Sequence, residues 1–293
     1  MGFCILSILV FHMIINLLYT DQMISADIKK KSEKLNLIIK GYKSALVAFS
    51  GGVDSSFLAF ATHNLFGERM IAVTIEAPWI PTREIKEAAT LAKQLSMPHR
   101  IAKVAFPTNS KFFENPENRC YLCKKGIFSV LKATAASEGF EAVFEGSNAD
   151  DAKAYRPGMR AIQELGIISP LYEAGLTKSE IRVLSREAGL PTADKPAYAC
   201  LASRFPYGVA LNEEGFRRVE QAEDFLFSLG FTGFRVRDHF PIVRIELPEG
   251  MIDKINDESL RMNIVEKFKN LGYKFITLDL EGYRSGCFDP EKK

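Results

Sequence analysis

"ALVAFSGGVDSSFLAF", residues 45–60, changes character twice within sixteen positions. Ala45 to Phe49 are five small or apolar residues in a row, the composition of a strand covered on both faces. Two glycines, an aspartate and two serines then break the run, and from Ser55 to Leu65 apolar residues return at helical spacing. A strand, a glycine turn and a helix start bring several unpaired backbone N–H groups and the positive end of a helix dipole to one small volume. Such a volume suits an anion, and phosphate is the one expected.

Working outward, a charged helix over about Asp27 to Gly41 leads into this strand. Behind it come a strand in "RMIAVTIEAP", a helix in "PTREIKEAATLAKQLS", a strand in "PHRIAKVAF", a helix in "RCYLCKKGIFSVLKATAASEG" and a strand in "FEAVFEGS". Strands alternating with helices of this length predict an α/β fold: a Rossmann-like parallel sheet with helices on both faces. Ligands of such sheets gather at the carboxyl ends of the strands. Ser50 to Ser56, Thr74 to Ala77 and Glu145 to Asp151 all lie at such ends, so they are expected to face one crevice. "LTKSEIRVLSREAGLP" carries a capping box, Thr177 with Glu180, and a stop at Gly189. "PTADKPAYACLASRFPYG", with Pro191, Pro196, Pro206 and Gly208, reads as linker and functional loop together. Beyond it, a helix from Asn212 to Leu229, strands in "FRVRDH" and "PIVRIEL", a helix through Lys269 and a strand in "YKFITLDL" form a smaller α/β unit. The expected division is therefore an apolar extension (1–22), a nucleotide-binding domain (23–190), a linker and active-site loop (191–211), and a C-terminal substrate or oligomerisation domain (212–293).

The chain of 293 residues is long enough for two domains, at roughly 100 to 200 residues each. Its formal net charge of +2, from 38 basic and 36 acidic residues, gives no strongly basic surface, so no nucleic-acid partner is expected. Five cysteines, Cys4, Cys120, Cys123, Cys200 and Cys287, are too few, and odd in number, for a secreted disulfide framework. Reduced thiols and a cytoplasmic location are expected. The opening "MGFCILSILVFHMIINLLYT" is apolar and about long enough to span a bilayer, yet Lys29 is the first positive charge in the chain. A membrane anchor, an interfacial segment and upstream sequence preceding a start at Met23 compete; the last is favoured, and no stable membrane partner is expected, because Met23 directly precedes the polar lead into the first strand.

No lysine precedes the serines of the glycine turn, which removes the Walker loop, and no G-x-G-x-x-G dinucleotide fingerprint occurs. Ser50-Gly51-Gly52-Val53-Asp54-Ser55-Ser56 resembles the pyrophosphate loop of the ATP-pyrophosphatase (PP-loop) superfamily, whose members adenylate a substrate oxygen and release pyrophosphate. Gly51 and Gly52 let the backbone approach the anion, the hydroxyls of Ser50, Ser55 and Ser56 can donate to it, and Asp54 can hold Mg²⁺ among the phosphates. An ordinary glycine turn with a serine cap is the plainer reading. Gly146 and Asn148 in "EGSNADD", with Thr74, are expected to contact ATP, and Asp150 to share the Mg²⁺, although either Asp150 or Asp151 could simply cap the next helix.

Cys120 and Cys123 are three apart on a helix and share a face. They read equally as core thiols, a redox couple or half a metal site. Zinc wants four ligands, and His12, His63, His99 and His239 show no metal spacing, which leaves Cys200 as a third thiolate; three could hold a [4Fe-4S] cluster with one iron open. Cys200 itself has Arg204 four residues on, a cation able to favour its thiolate.

"ENRCYLCKKGIF", "EGSNADDAKAYRPGMRA", "KPAYACLASRFPYG" and "FRVRDH", in this order after the pyrophosphate loop, resemble the LarE family of ATP-dependent sulfur transferases, over roughly Met23 to Gly286. The resemblance implies that a carboxylate of pyridinium-3,5-biscarboxylic acid mononucleotide is adenylated and its activated oxygen replaced by sulfur, for a nickel-pincer cofactor. It implies two sulfur routes, both through Cys200. In the sacrificial one, Cys200 attacks the adenylate and the thioester breaks at Cβ–S, leaving dehydroalanine. In the other, Cys120, Cys123 and Cys200 hold a [4Fe-4S] cluster carrying an extra sulfide, and the presence of all three favours this route. A homo-oligomer, a hexamer, is also implied. The substrate's phosphate and carboxylates call for arginine forks, and Arg235, Arg237 and Arg244, with Arg204, are the candidates, Arg156 and Arg160 less so. Trp79 could stack on adenine or pyridinium or belong to the core, and Cys287 lies outside the trio. The alternatives are another PP-loop enzyme (a tRNA thiolase, GMP synthetase or 7-cyano-7-deazaguanine synthase) and a nucleotide-binding sensor without catalysis.

Overall fold

The structure is a computed structural model that describes residues 25–153, 158–196, 199–284 and 288. The expectations for residues 1–22, Arg156 and Cys287 fall outside the described residues.

Helix α1 (Ala26–Lys40), capped by Ser25 and ended at Gly41, feeds β1 (Ala45–Ala48). The chain then alternates: α2 (Val53–Phe66), β2 (Met70–Glu76), α3 (Thr82–Gln94), β3 (His99–Lys103), α4 (Arg119–Ser137) and β4 (Ala142–Phe144). These strands form one parallel sheet in the order β3-β2-β1-β4, with Val47 opposite both Ala72 and Phe144. Because strand side chains alternate faces, Val47 and Phe144 join the core beneath α1 and α2, while Leu46 and Val143 join the one beneath α4. Both faces are thus dry, as the unbroken apolar run of β1 requires.

The chain moves from β1 outward to β3 and then returns to place β4 on the other side of β1. That reversal opens a crevice between the carboxyl ends of β1 and β4, the place where ligands of open α/β sheets sit. After β4, α5 (Gly158–Leu165) packs on α4, whereas α6 (Pro170–Ala174) and α7 (Lys178–Glu187) join the core of the other face, beneath α1 and α2. α7 starts with the complete capping box of Thr177 and Glu180.

A second core is built on another sheet. α8 (Glu213–Ser228), capped by Asn212, precedes β5 (Arg235–His239) and β6 (Ile242–Glu246), which pair antiparallel; α9 (Glu249–Ile252) and α10 (Glu258–Asn270) then lead to β7 (Phe275–Leu278), parallel to β6. Ala222, Leu226, Val236, Val243, Ile264 and Phe268 close it. Among the described residues no helix is long and apolar enough to cross a membrane.

Candidate active site

Helix α2 begins two residues before the sequence expectation, with Gly52 as its N-cap, so the glycine turn is tighter than the serine spacing suggested. Gly51 has φ +70°, and a Cβ there would lie 3.0 Å from Cα and Cβ of Ala88 in α3. Only glycine lets the loop close this tightly over α3. Gly51→Ala is expected to cost about 1–3 kcal/mol of stability and to weaken ATP binding, read from thermal melts with and without ATP. The loop is pre-ordered by its own hydroxyls: Ser55 Oγ accepts from Ser50 N (3.2 Å), lies 3.0 Å from Ser50 Oγ and donates to Gly52 O (3.2 Å). Ser56 is fully buried, its hydroxyl without a hydrogen-bond partner, and is not among the residues lining the cleft.

Asp54 sits in the first turn of α2 and its Oδ2 is 2.5 Å from Lys178 Nζ of α7. Burial pushes its carboxyl above the usual range, and Lys178 opposes this. Asp54 Oδ1 is buried without a hydrogen-bond partner; the Asn148 amide favours its charge from outside hydrogen-bond geometry. An orphaned anionic oxygen beside a phosphate loop fits Mg²⁺, which takes one or two carboxylates and completes its shell with phosphate and water. Asp150 fits less well than expected, because its Oδ2 accepts from the backbone N of Lys178 (2.9 Å) and so caps α7.

Opposite the loop, the turn after β4 is held by Glu145. This buried carboxylate accepts from Ser147 N (3.0 Å), Ser147 Oγ (2.9 Å) and Ser169 Oγ (2.5 Å), and lies 3.5 Å from Lys124 Nζ. A Cβ on Gly146 would lie 3.1 Å from Ser55 N, so the two strand-end loops touch. Thr74 donates to Phe49 O (2.8 Å) and ties the end of β2 to that of β1. Together these loops wall a cleft of about 720 Å³, lined by Ser50, Gly52, Asp54, Ser55, Thr74, Gly146, Asn148 and Asp150 among others.

Cys200 lines the same cleft. It is half-buried and precedes a 3₁₀ turn, Leu201–Arg204, whose start is fixed by Leu201 N donating to Trp79 O (2.9 Å). Arg204 lies within electrostatic reach of the Cys200 thiol, as expected, and also grips the backbone. Its guanidinium pairs with Glu223 through Nε (2.8 Å) and Nη2 (2.9 Å), while Nη1 donates to Ala199 O (2.9 Å) and Cys200 O (3.4 Å). Arg237 grips the turn from the other side, donating to Ser203 O (2.8 Å) while Glu246 holds it through two bonds of 2.9 and 2.7 Å.

Arg235, Arg237 and Arg244 do not line the cleft. Arg244 meets Glu246 at 3.0 Å and Asp279 at 3.5 Å, and Arg235 donates to Phe234 O (2.7 Å). Arg237 and Arg244 both meet Glu246 of β6, where burial demands a counter-charge, while Arg235 also lies 3.4 Å from the Tyr283 hydroxyl. Arg160 lies on α5, its guanidinium 3.9 Å over the Tyr121 ring and 3.2 Å from Glu164. Trp79 is 1% exposed, with its ring 4.7 Å from both Phe106 and Phe112, so of its two readings the structure selects the core.

Cys120, Cys123 and Cys200 are neighbours in no disulfide, and Cys123 and Cys200 pack against the same aromatic core as Trp79. Burial, then the proximity of Cys200 and Cys120, push the Cys123 thiol far upward, so the three sulfurs lie within electrostatic reach of one another. Among the described residues no three Cys, His, Asp or Glu side chains stand where they could hold one metal ion. Three neighbouring thiols have the chemistry of cluster ligands, since a bound metal displaces the thiol protons.

Three cleft cations escaped the sequence reading: Lys124, Lys178 and Lys195. Lys124 follows the C-x-x-C pair directly, Lys178 follows the Thr177 cap and Lys195 precedes Pro196, contexts that mark ordinary solvated lysines just as often.

Comparison with known proteins agrees with this geometry. The NAD synthase family model matches residues 28–125, which hold the glycine loop and the first three strands. A component of the glutamine-hydrolyzing GMP synthase of Thermoplasma volcanium is 28% identical over 184 residues, 58% of each chain. An uncharacterized protein of Synechocystis sp. is 38% identical over 259 residues, 88% of this chain and 97% of that one. The pyridinium-3,5-bisthiocarboxylic acid mononucleotide synthase of Lactiplantibacillus plantarum is 35% identical over 262 residues, 89% of this chain and 94% of the relative. With a PP-loop crevice, a cysteine on its wall and a likeness running through both sheets, the chain belongs to the LarE family, that of pyridinium-3,5-bisthiocarboxylic acid mononucleotide synthase.

Proposed function

We propose that the protein is an ATP-dependent sulfur transferase that converts a carboxylate of pyridinium-3,5-biscarboxylic acid mononucleotide into a thiocarboxylate, for a nickel-pincer cofactor. The observation that carries this is Cys200 on the wall of the cleft that begins at the SGGVDSS loop. ATP occupies the crevice with its phosphates at Ser50 to Ser55, and the segments 74–77 and 145–151 flank it. A substrate carboxylate oxygen attacks the α-phosphorus and pyrophosphate leaves. Loop N–H groups, the α2 dipole and Lys178 stabilise the departing charge. Mg²⁺, held by Asp54, would neutralise phosphate oxygens as charge develops.

Sulfur transfer runs through Cys200, the one cysteine among the described residues lining the cleft, and the sacrificial route needs only this chain's own atoms. The Cys200 thiolate adds to the acyl carbon and expels AMP, giving a thioester. Loss of the Cys200 Cα proton and cleavage of Cβ–S then release the thiocarboxylate and leave dehydroalanine in the chain. Cys120, Cys123 and Cys200, none in a disulfide, support a reducing, cytoplasmic setting. The segments 23–190 and 212–293 act as nucleotide domain and second domain, and the protein works as a homo-oligomer. Exchange of labelled pyrophosphate into ATP, dependent on the pyridinium dicarboxylate, tests the reading. Exchange supported by a different oxygen nucleophile would redirect the assignment to another PP-loop enzyme, and no exchange at all would mark a sensor.

A further inference from the structure

A second groove of about 780 Å³ lies between α3 and α8, against the outer side of the glycine loop, where Gly51, Arg83, Glu87, Thr192 and Glu220 contribute to its walls. Lys195 lines both this groove and the nucleotide cleft. Its ammonium is tucked into the partition, with the side chain 14% exposed. Nζ donates to Gly51 O (3.2 Å) and lies 3.0 Å from Glu84 and 2.8 Å from Glu87, one turn apart on α3. Glu84 faces the cleft and Glu87 the groove. An ammonium carries three protons, so these three acceptors match its full donor capacity.

The positions of these partners tie the loop to the cysteine. A trans peptide points its C=O and the next N–H in opposite directions. Lys195 on Gly51 O therefore turns the Gly52 N–H to the opposite side, where it donates to Ser50 Oγ (3.4 Å), and Ser50 and Gly52 both line the cleft. Lys195 is also five residues before Cys200, on a segment whose backbone α7 holds: Arg182 donates to Ala193 O and to Lys195 O (3.0 Å). One turn earlier on α7, Lys178 holds Asp54. The glycine loop and the cysteine segment are thus fastened to each other through Lys195 and to a common helix.

We infer that Lys195 is a positioning residue that aims the Gly51–Gly52 peptide at the phosphates and docks the Cys200 segment on the same loop, so that adenylate and thiol are held in register. The inference rests on the sulfur-transfer reading for its activity consequence but not for its geometry.

Two measurements test it on the full chain. Lys195→Met keeps the aliphatic stem and removes the ammonium; thiocarboxylate formed per pyrophosphate released is expected to fall about tenfold or more, since small misplacements of reacting groups carry penalties of that size. Lys195→Arg, which keeps the charge, is expected to recover part of the loss. A purely structural role would lower both products together and leave the ratio unchanged, which would overturn the inference. Alkylation of Cys200 by iodoacetamide, followed by peptide mass spectrometry in nucleotide-free protein, is expected to speed up several-fold in Lys195→Met. An unchanged rate would overturn the docking. If Lys195→Met does not fold, Glu87→Gln, which removes one partner at the half-exposed end, is expected to show the same alkylation change in weaker form, and its absence there would count against the inference. Failure of the functional reading has a separate signature, a wild type that releases no pyrophosphate, whereas the alkylation comparison needs no substrate.

Discussion

Cys200→Ala is expected to keep substrate-dependent pyrophosphate release and to lose thiocarboxylate formation by at least about 10³-fold, the scale on which removal of a nucleophile acts. Adenylation depends on the glycine loop, Asp54 and Lys178, which are held by bonds among themselves and not by the Cys200 side chain. Sulfur, by contrast, has one source among the described residues of the cleft wall. The measurement is a pair of assays on one sample, pyrophosphate release and mass-spectrometric detection of the thiocarboxylate. A third follows the wild-type protein, whose mass should fall by one H₂S per product, localised to residue 200. Thiocarboxylate production at the wild-type rate by the alanine variant, or sulfur loss mapped to Cys120 or Cys123, would remove Cys200 from the role.

Glu223→Ala is expected to destabilise the fold by about 3–5 kcal/mol, the cost of stranding a buried charge. Arg204 and Glu223 are 2% and 5% exposed and share two bonds below 3 Å. Glu223 also accepts from Val236 N (3.1 Å), so its loss opens the start of β5 as well. Without the carboxylate, Arg204 keeps neutral hydrogen-bond partners, the carbonyls of Ala199 and Cys200 and the hydroxyl of Ser203. Chemical denaturation checks the value. The double replacement Arg204→Met with Glu223→Leu should cost much less, because it removes both charges together. It would still free the Cys200 turn and depress sulfur transfer. A Glu223→Ala protein within about 1 kcal/mol of wild type would show that the pair is hydrated and not the anchor described.

The two predictions separate chemistry from support, and they also mark where sequence reading succeeds. The apolar run of β1, the glycines at 51 and 52 and the helical spacing after Ser55 are local patterns, and each dictates backbone geometry within a few residues. The capping box at Thr177 and the Asn212 cap are equally local and stand where expected. Reading failed where a side chain's role depends on a distant partner. An arginine in "FRVRDH" gives no sign of its buried pairing with Glu246, nor Arg204 of its pairing with Glu223, nineteen residues on.

What the amino-acid order alone determined was the parallel sheet, the phosphate loop at its switch point and the presence of one cysteine in a proline-rich segment, because strand alternation, helix period and glycine freedom act between near neighbours. Which charges are paired inside, and that Cys123 is desolvated beside Cys120 and Cys200, only the packed structure decided. Desolvation is set by everything that surrounds a group, and in this chain those surroundings come from as far away as Lys195 on Gly51, 144 residues apart.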